Sequence, residues 1–243
     1  MVFGTRSRSA IAISFALLAV PAVGSGQSPT PAATPRPACP SPHGGVCVGP
    51  LAAGTYITVA FATPLTFTVS EGWANFEDLR GNFLLIPPGS SNDDVDAGMS
   101  DYLSVYQGAA VAEGTCAGGA EPGIGRTAAA MAEAFRARPG ILVTEPVPVE
   151  VGGLTGLLID ITMDPDSDAS CTVPDFPGRL VPLIVGAGPA ELDHAQIDGI
   201  TTRLYLLDHG TSNVVIEVSD VAASAGRIEE AGAIIDSFVF DVG

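Results

Sequence analysis

The chain has 243 residues, with 10 Lys plus Arg against 27 Asp plus Glu, a formal net charge of -17 and no lysine. So acidic a surface repels phosphate backbones and anionic lipid, which excludes nucleic-acid binding and docking on a negatively charged membrane. Apolar residues make up 47% of the chain, enough for a real core, so the charge does not imply disorder.

Arg6 and Arg8 precede an apolar run over 11–20, and small residues follow Pro21. This layout predicts a secretory signal peptide over 1–24, with cleavage after Gly24 or Gly26. The run is short for a bilayer span and Pro21 interrupts it, so no transmembrane span is expected in the mature chain. An uncleaved N-terminal anchor is the alternative. Residues 25–49 are rich in Pro, Thr and Ala and poor in large apolar side chains, the composition of an extended linker. A single α+β domain is expected over 50–243. The expected location is secreted, or on the extracellular side of a bacterial cell envelope.

Cys39, Cys47, Cys116 and Cys171 allow three pairings. The short loop between Cys39 and Cys47 favours local closure, which pairs Cys116 with Cys171. No Cys-x-x-Cys knuckle is present and exported thiols oxidise, so disulfides are preferred over zinc.

Strands are predicted over 54–61 and 65–73, ending at Gly72, and over 82–89, ending at a double proline. After an acidic loop over 90–101, the segment YLSVYQGAAV (102–111) reads as one strand. It carries Tyr102, Ser104 and Tyr106 on one face and Leu103 and Val105 on the core face. The Ala-rich stretch 127–140 predicts a helix closed by Pro139-Gly140, with Arg136 and Arg138 in its last turn, where the dipole favours cations. Residues 146–163 predict a hairpin turning on Gly152-Gly153, with Leu157, Ile159 and Ile161 on one face and Asp160 and Thr162 on the other. Further strands are expected over 179–186, 201–210 and 212–219, the last two as a hairpin. Residues 220–240 read as a helix running into a terminal strand.

Three segments resemble Mog1/PsbP-like domains: FATPLTFTVSEGWANFED (61–78), RLYLLDHGTSNVVIEVS (203–219) and RIEEAGAIIDSFVF (227–240). The resemblance implies an α+β fold, a curved, mostly antiparallel β-sheet with helices packed against it, over residues 50–242. That family contains photosystem accessory proteins, a nuclear-transport factor and bacterial surface lipoproteins, so it implies no common reaction. The chain departs from it through inserts around 112–125 and 164–178, and no functional residue carries over.

Asp164, Asp166, Asp168 and Asp175 fall where a calcium loop places side-chain oxygens. Ala169 stands where that loop turns on glycine, Asp175 is shorter than the usual bidentate Glu, and no flanking helices are evident. The plain reading is a solvated acidic loop pinned by Cys171; a weak extracellular calcium site is the sharper one. Asn92, Asp93, Asp94 and Asp96 form a second acidic cluster. GGAEPGIGRT (118–127) lacks the glycine and lysine of a phosphate loop, and its Gly and Pro more simply turn the chain from Cys116 into the helix; Arg126 beside the helix N-terminus as a small-anion site is the sharper alternative.

Of the three histidines, His43 lies in the linker. Asp208, His209 and Ser212 are crowded into one turn, unsuited to a catalytic triad. His194 reads as part of a surface loop; a pairing with Asp193 or Asp198 is the sharper alternative. Trp73 with Phe76, and Tyr102 with Tyr106, are candidate walls of a ligand groove, against a plainer role in the core. The sequence therefore points to an exported, non-enzymatic binding or accessory domain. Its partner is an extracellular protein, an envelope component or a small ligand. The alternative is a secreted hydrolase or weakly calcium-dependent enzyme with dispersed site residues.

Overall fold

A computed structural model describes residues 49–90, 101–116, 118–171, 178–186, 193–221 and 226–242. The expected signal peptide, almost all of the expected linker, the expected pairing of Cys39 with Cys47, His43, the cluster at 92–96 and Asp175 lie outside the described residues. Among the described residues, fifteen strands and two helices follow in chain order. The strands of the first half are β1 (Gly49–Pro50), β2 (Gly54–Ile57), β3 (Leu65–Val69), β4 (Ala74–Asp78), β5 (Asn82–Ile86), β6 (Tyr102–Gln107) and β7 (Ala109–Val111). Helix α1 (Ala128–Arg136) leads to β8 (Ile141–Val143), β9 (Val147–Val151), β10 (Leu154–Met163), β11 (Leu180–Gly186) and β12 (Asp193–Ile197). The chain closes with β13 (Ile200–His209), β14 (Ser212–Val221), α2 (Arg227–Ile235) and β15 (Val239–Phe240).

The α+β class with antiparallel pairing and packed helices stands, but the expected single curved sheet does not form. The strands divide among three sheets. An open nine-stranded sheet runs β1-β4-β5-β6-β14-β13-β10-β8, with β9 also paired to β10, and two three-stranded sheets run β12-β11-β7 and β15-β3-β2. One cause is local. The stretch read as one strand over 102–111 breaks at Gly108, whose φ of +79° is costly for other residues, and its halves enter different sheets. After the break β6 pairs with β14 in the large sheet and β7 with β11 in a small one.

Both faces of the large sheet are covered. Over the first lie β15-β3-β2 and α2, closing a core of Phe61, Leu65, Phe67, Trp73, Phe83, Leu103, Val105, Ile216, Ile234 and Phe238. Over the second lie α1 and β12-β11-β7, with Tyr106, Met131, Phe135, Ile159, Ile161, Leu183, Leu204 and Val215 in the core. Each such side chain contributes about 1.5–3 kcal/mol relative to exposure. Because both sides are buried, β6 shows no polar outer face, and Tyr102, Ser104 and Tyr106 are as enclosed as Leu103 and Val105. Buried Asp78 ties the first layer down by accepting from the backbone N–H groups of Val59, Ala60 and Phe61 at 2.7, 3.1 and 3.0 Å.

The hairpin on Gly152-Gly153 forms as expected. The second expected hairpin extends further, from Ile200 to Val221, and turns at Gly210-Thr211. The final helix is shorter than expected: β14 continues to Val221, and α2 starts only after Gly226. Strands β1, β8 and β12 fall outside the expected strands.

Candidate functional site

Two places gather polar side chains away from the open surface. The first is a closed cluster between the large sheet and β12. Strand pairing sets Ser104 opposite Glu217 and Tyr102 opposite Ser219, on the second face. His194 reaches down from β12, and its Nδ1 lies 2.6 Å from Glu217 Oε2. A carboxylate only accepts, so Nδ1 carries the proton. Tyr102 Oη donates to Glu217 Oε1 at 2.9 Å, and Tyr106 Oη lies 3.2 Å from His194 Nε2. Both tyrosine rings meet the imidazole edge-on.

Burial pushes the Tyr102 and Tyr106 phenols well above their ordinary range and the Glu217 charge adds to it, so both serve as neutral hydroxyls. Burial alone would raise the Glu217 carboxyl. The charge and hydrogen bond of His194, together with the Tyr102 hydroxyl, outweigh it and hold the group below the usual carboxylate range. His194 is 1% exposed and Glu217 3%, and neither is among the residues lining the two hollows described below. The arrangement can hold a charge pair between two layers.

His194 is thus not on a surface loop but buried on β12, and the acid it meets is Glu217. Asp198 instead makes a bidentate pair with Arg179, at 2.6 and 3.1 Å, which lowers its carboxyl. The missed partner, Glu217, had a signal in the sequence: a lone acid inside the apolar run VVIEVS.

The second place is a cleft of about 530 Å³ between the C-terminal half of α1 and segment 168–171. Ala134, Ala137, Arg138 and Pro139 form one wall, Asp168 to Cys171 another, and Val181 and Pro182 of β11 the floor, with Gly114, Glu121 and Ile124 at the side. Cys116 and Cys171 form the expected disulfide, and Cys171 lines both this cleft and a smaller hollow of about 180 Å³. Gly140 shapes the wall. Its φ is +91°, and a Cβ there would stand 2.2 Å from the Ala169 carbonyl, so only glycine lets the segment approach the helix end. Arg138, half within the cleft, donates from Nη1 to the Pro182 carbonyl and from Nη2 to the Ala112 carbonyl, and its Nη2 lies 3.7 Å from Glu121 Oε2. Burial lowers the Arg138 guanidinium from its ordinary value, and Glu121 opposes that.

Of the acidic residues singled out in the sequence, Asp168 lines this cleft. Asp164 Oδ1 accepts from the Asp166 N–H at 3.0 Å, a local turn. The carbonyls of Asp164 and Ser167 accept from Arg179 Nη1 at 3.3 and 2.8 Å. A guanidinium therefore already stands on the carbonyl side of the loop. Among the described residues no group of three or more His, Cys, Asp or Glu is arranged to hold a metal.

The start of α1 is also accounted for. Thr127 Oγ1 accepts from the Ala130 N–H, and Asp208 Oδ1, arriving from the end of β13, accepts from the Ala128 N–H at 2.8 Å. The anion at this helix N-terminus is the chain's own. Asp208 is a cap, and His209 and Ser212 face each other across the hairpin end. Trp73 is a core residue of the first face, whereas Phe76 packs in a separate cluster with Leu84, Ile86 and Tyr102. No groove joins them.

No known family description matches the chain, and no curated protein does either. A solved structure from Bacteroides thetaiotaomicron is similar over 72% of this chain at 10% identity, with a TM-score of 0.33. The chain spans 44% of that protein's length, and a likeness of that size carries no argument about function.

Proposed function

We propose that this chain is an exported, non-enzymatic binding or accessory domain whose binding surface is the cleft between α1 and segment 168–171. The carrying observation is the cleft itself: about 530 Å³, bordered by the disulfide, walled by backbone and small side chains, with one mostly buried cation in it. That volume lies in the range of ligand pockets. The N-terminal leader pattern supports export, and among the described residues no helix is long and apolar enough to cross a membrane. The partner is an extracellular protein, an envelope component or a small ligand. The chain's charge disfavours nucleic acid.

The test is a fragment screen on the ¹⁵N-labelled, disulfide-bonded protein, read by amide shifts. Binders should move the amides of Ala134, Ala137, Ser170 and Val181 together. Binders that gather elsewhere, or ester turnover that disappears in His194→Ala while the fold is kept, would replace this reading with a different site or with a hydrolase.

A further inference from the structure

The cleft holds one cation, Arg138, and two carboxylates, Glu121 and Asp168, neither of which makes a direct hydrogen-bonded pair with it. The Arg138 side chain is 7% exposed, and its guanidinium donates to two backbone carbonyls, which satisfy donors but carry no net charge. Among the described residues the carboxylate within ion-pair range is Glu121, at 3.7 Å rather than in hydrogen-bonding contact. Glu121 is held elsewhere, since its Oε2 accepts from the Gly114 N–H at 3.1 Å, and its side chain is 37% exposed. A buried cation with a loosely placed counter-ion gains when a better-placed anion arrives. Apolar contact surface lies beside it: Ile124 is 38% exposed, and Ala134 and Val181 face the same hollow.

The geometry points to the cleft as a binding site for a carboxylate carried on a small apolar body, with the carboxylate on Arg138 in place of Glu121 and the apolar part against Ile124, Ala134 and Val181. A free carboxylic acid and the C-terminus of a peptide share this chemistry. The inference rests on the cleft being the binding surface and adds the class of ligand. It carries an unusual salt signature. The chain's net charge of -17 repels an approaching anion, so moderate salt should strengthen capture by screening that repulsion, where a cationic ligand would bind more weakly.

The experiment titrates the disulfide-bonded protein with N-acetyl-leucine, its neutral amide, leucinamide and the peptide acetyl-Ala-Ala-Leu with a free carboxylate, reading the cleft amides at two salt concentrations. N-acetyl-leucine should bind at least about tenfold more tightly than its amide and gain affinity between low and physiological salt, as roughly one charge-assisted contact implies. Glu121→Gln removes the internal competitor and should tighten binding by about threefold to tenfold, while Arg138→Gln should abolish it. If Arg138→Gln does not fold, the Glu121→Gln result and the salt trend still decide. Tighter binding of the tripeptide supports a peptide C-terminus as the source, and tighter binding of the free acid supports a small metabolite. Equal affinity for acid and amide, or preference for leucinamide, overturns the carboxylate while leaving the cleft as a binding surface. Cleft amides unmoved by every probe remove both.

Discussion

The two faces of the nine-stranded sheet are held by different forces. The first closes over a core of hydrocarbon and aromatic rings, including the tilted pair Phe67 and Phe83 with centroids 4.8 Å apart. The second is apolar under α1 but turns polar under β12, where Tyr102, Ser104, Thr202, Glu217 and Ser219 of the sheet lie beneath His194 and Gln196. Apolar contact is non-directional and tolerates sliding; a charge pair and two phenol contacts do not. On the second face, position is fixed at the expense of desolvating an ion pair, which is weak evidence for added stability but a strong constraint on register.

Substitutions on each face, and acid, separate the two. The largest effect is expected for Glu217→Ala, which leaves His194 buried without its partner: a loss of about 3–5 kcal/mol in urea unfolding. The double change His194→Leu with Glu217→Leu should recover most of it, since apolar pairs of similar volume often match a buried ion pair. If the single change costs under about 1 kcal/mol, the cluster is not the constraint argued above. Next comes Leu103→Ala on the first face of the same region, expected to cost about 2–5 kcal/mol by transfer and cavity terms. Its cost should be the same at pH 4 and pH 7, because no titrating group is involved.

The smallest effect concerns acid. Glu217 is held below its ordinary carboxylate range in the fold, so its contribution is fully present above the unfolded value of about 4.3 and is lost as pH falls through the lower folded value. Native protein should therefore lose stability below about pH 4 more steeply than Glu217→Gln. Parallel acid limbs in the two proteins would assign the loss to other carboxylates.

The sequence made the first face readable and the second only in part. Alternation around Gly152-Gly153 and along SNVVIEVS marks strands whose apolar sides enter the core. The common face of Tyr102, Ser104 and Tyr106 was equally legible, but not that it is covered. Its cover, β12, reads DHAQI, and the inward His194 and Gln196 lack the apolar alternation that announces a buried strand. Their partners are polar residues distant in sequence, so the pattern has meaning only once both surfaces meet. The division into three sheets was hidden for a related reason. Gly108 looks like a weak point within a strand, and only the separate pairing of β6 with β14 and β7 with β11 shows it to be a boundary. The cleft draws its walls from α1, segment 168–171 and β11, and no spacing in the chain reports that meeting.

The capping of α1 by Asp208 bears on the order in which the protein can be assembled. A chain emerging N-terminus first presents residues 128–136 well before the carboxylate that satisfies the Ala128 N–H, 80 residues later. Strand β6 waits longer still, with one long edge unpaired until β14 arrives. Pairings so remote in sequence slow folding and leave strand edges open to mispairing in the meantime. The early half of this molecule thus depends on its late half to become native, and a truncation before residue 208 would leave a sticky, uncapped fragment rather than a smaller domain.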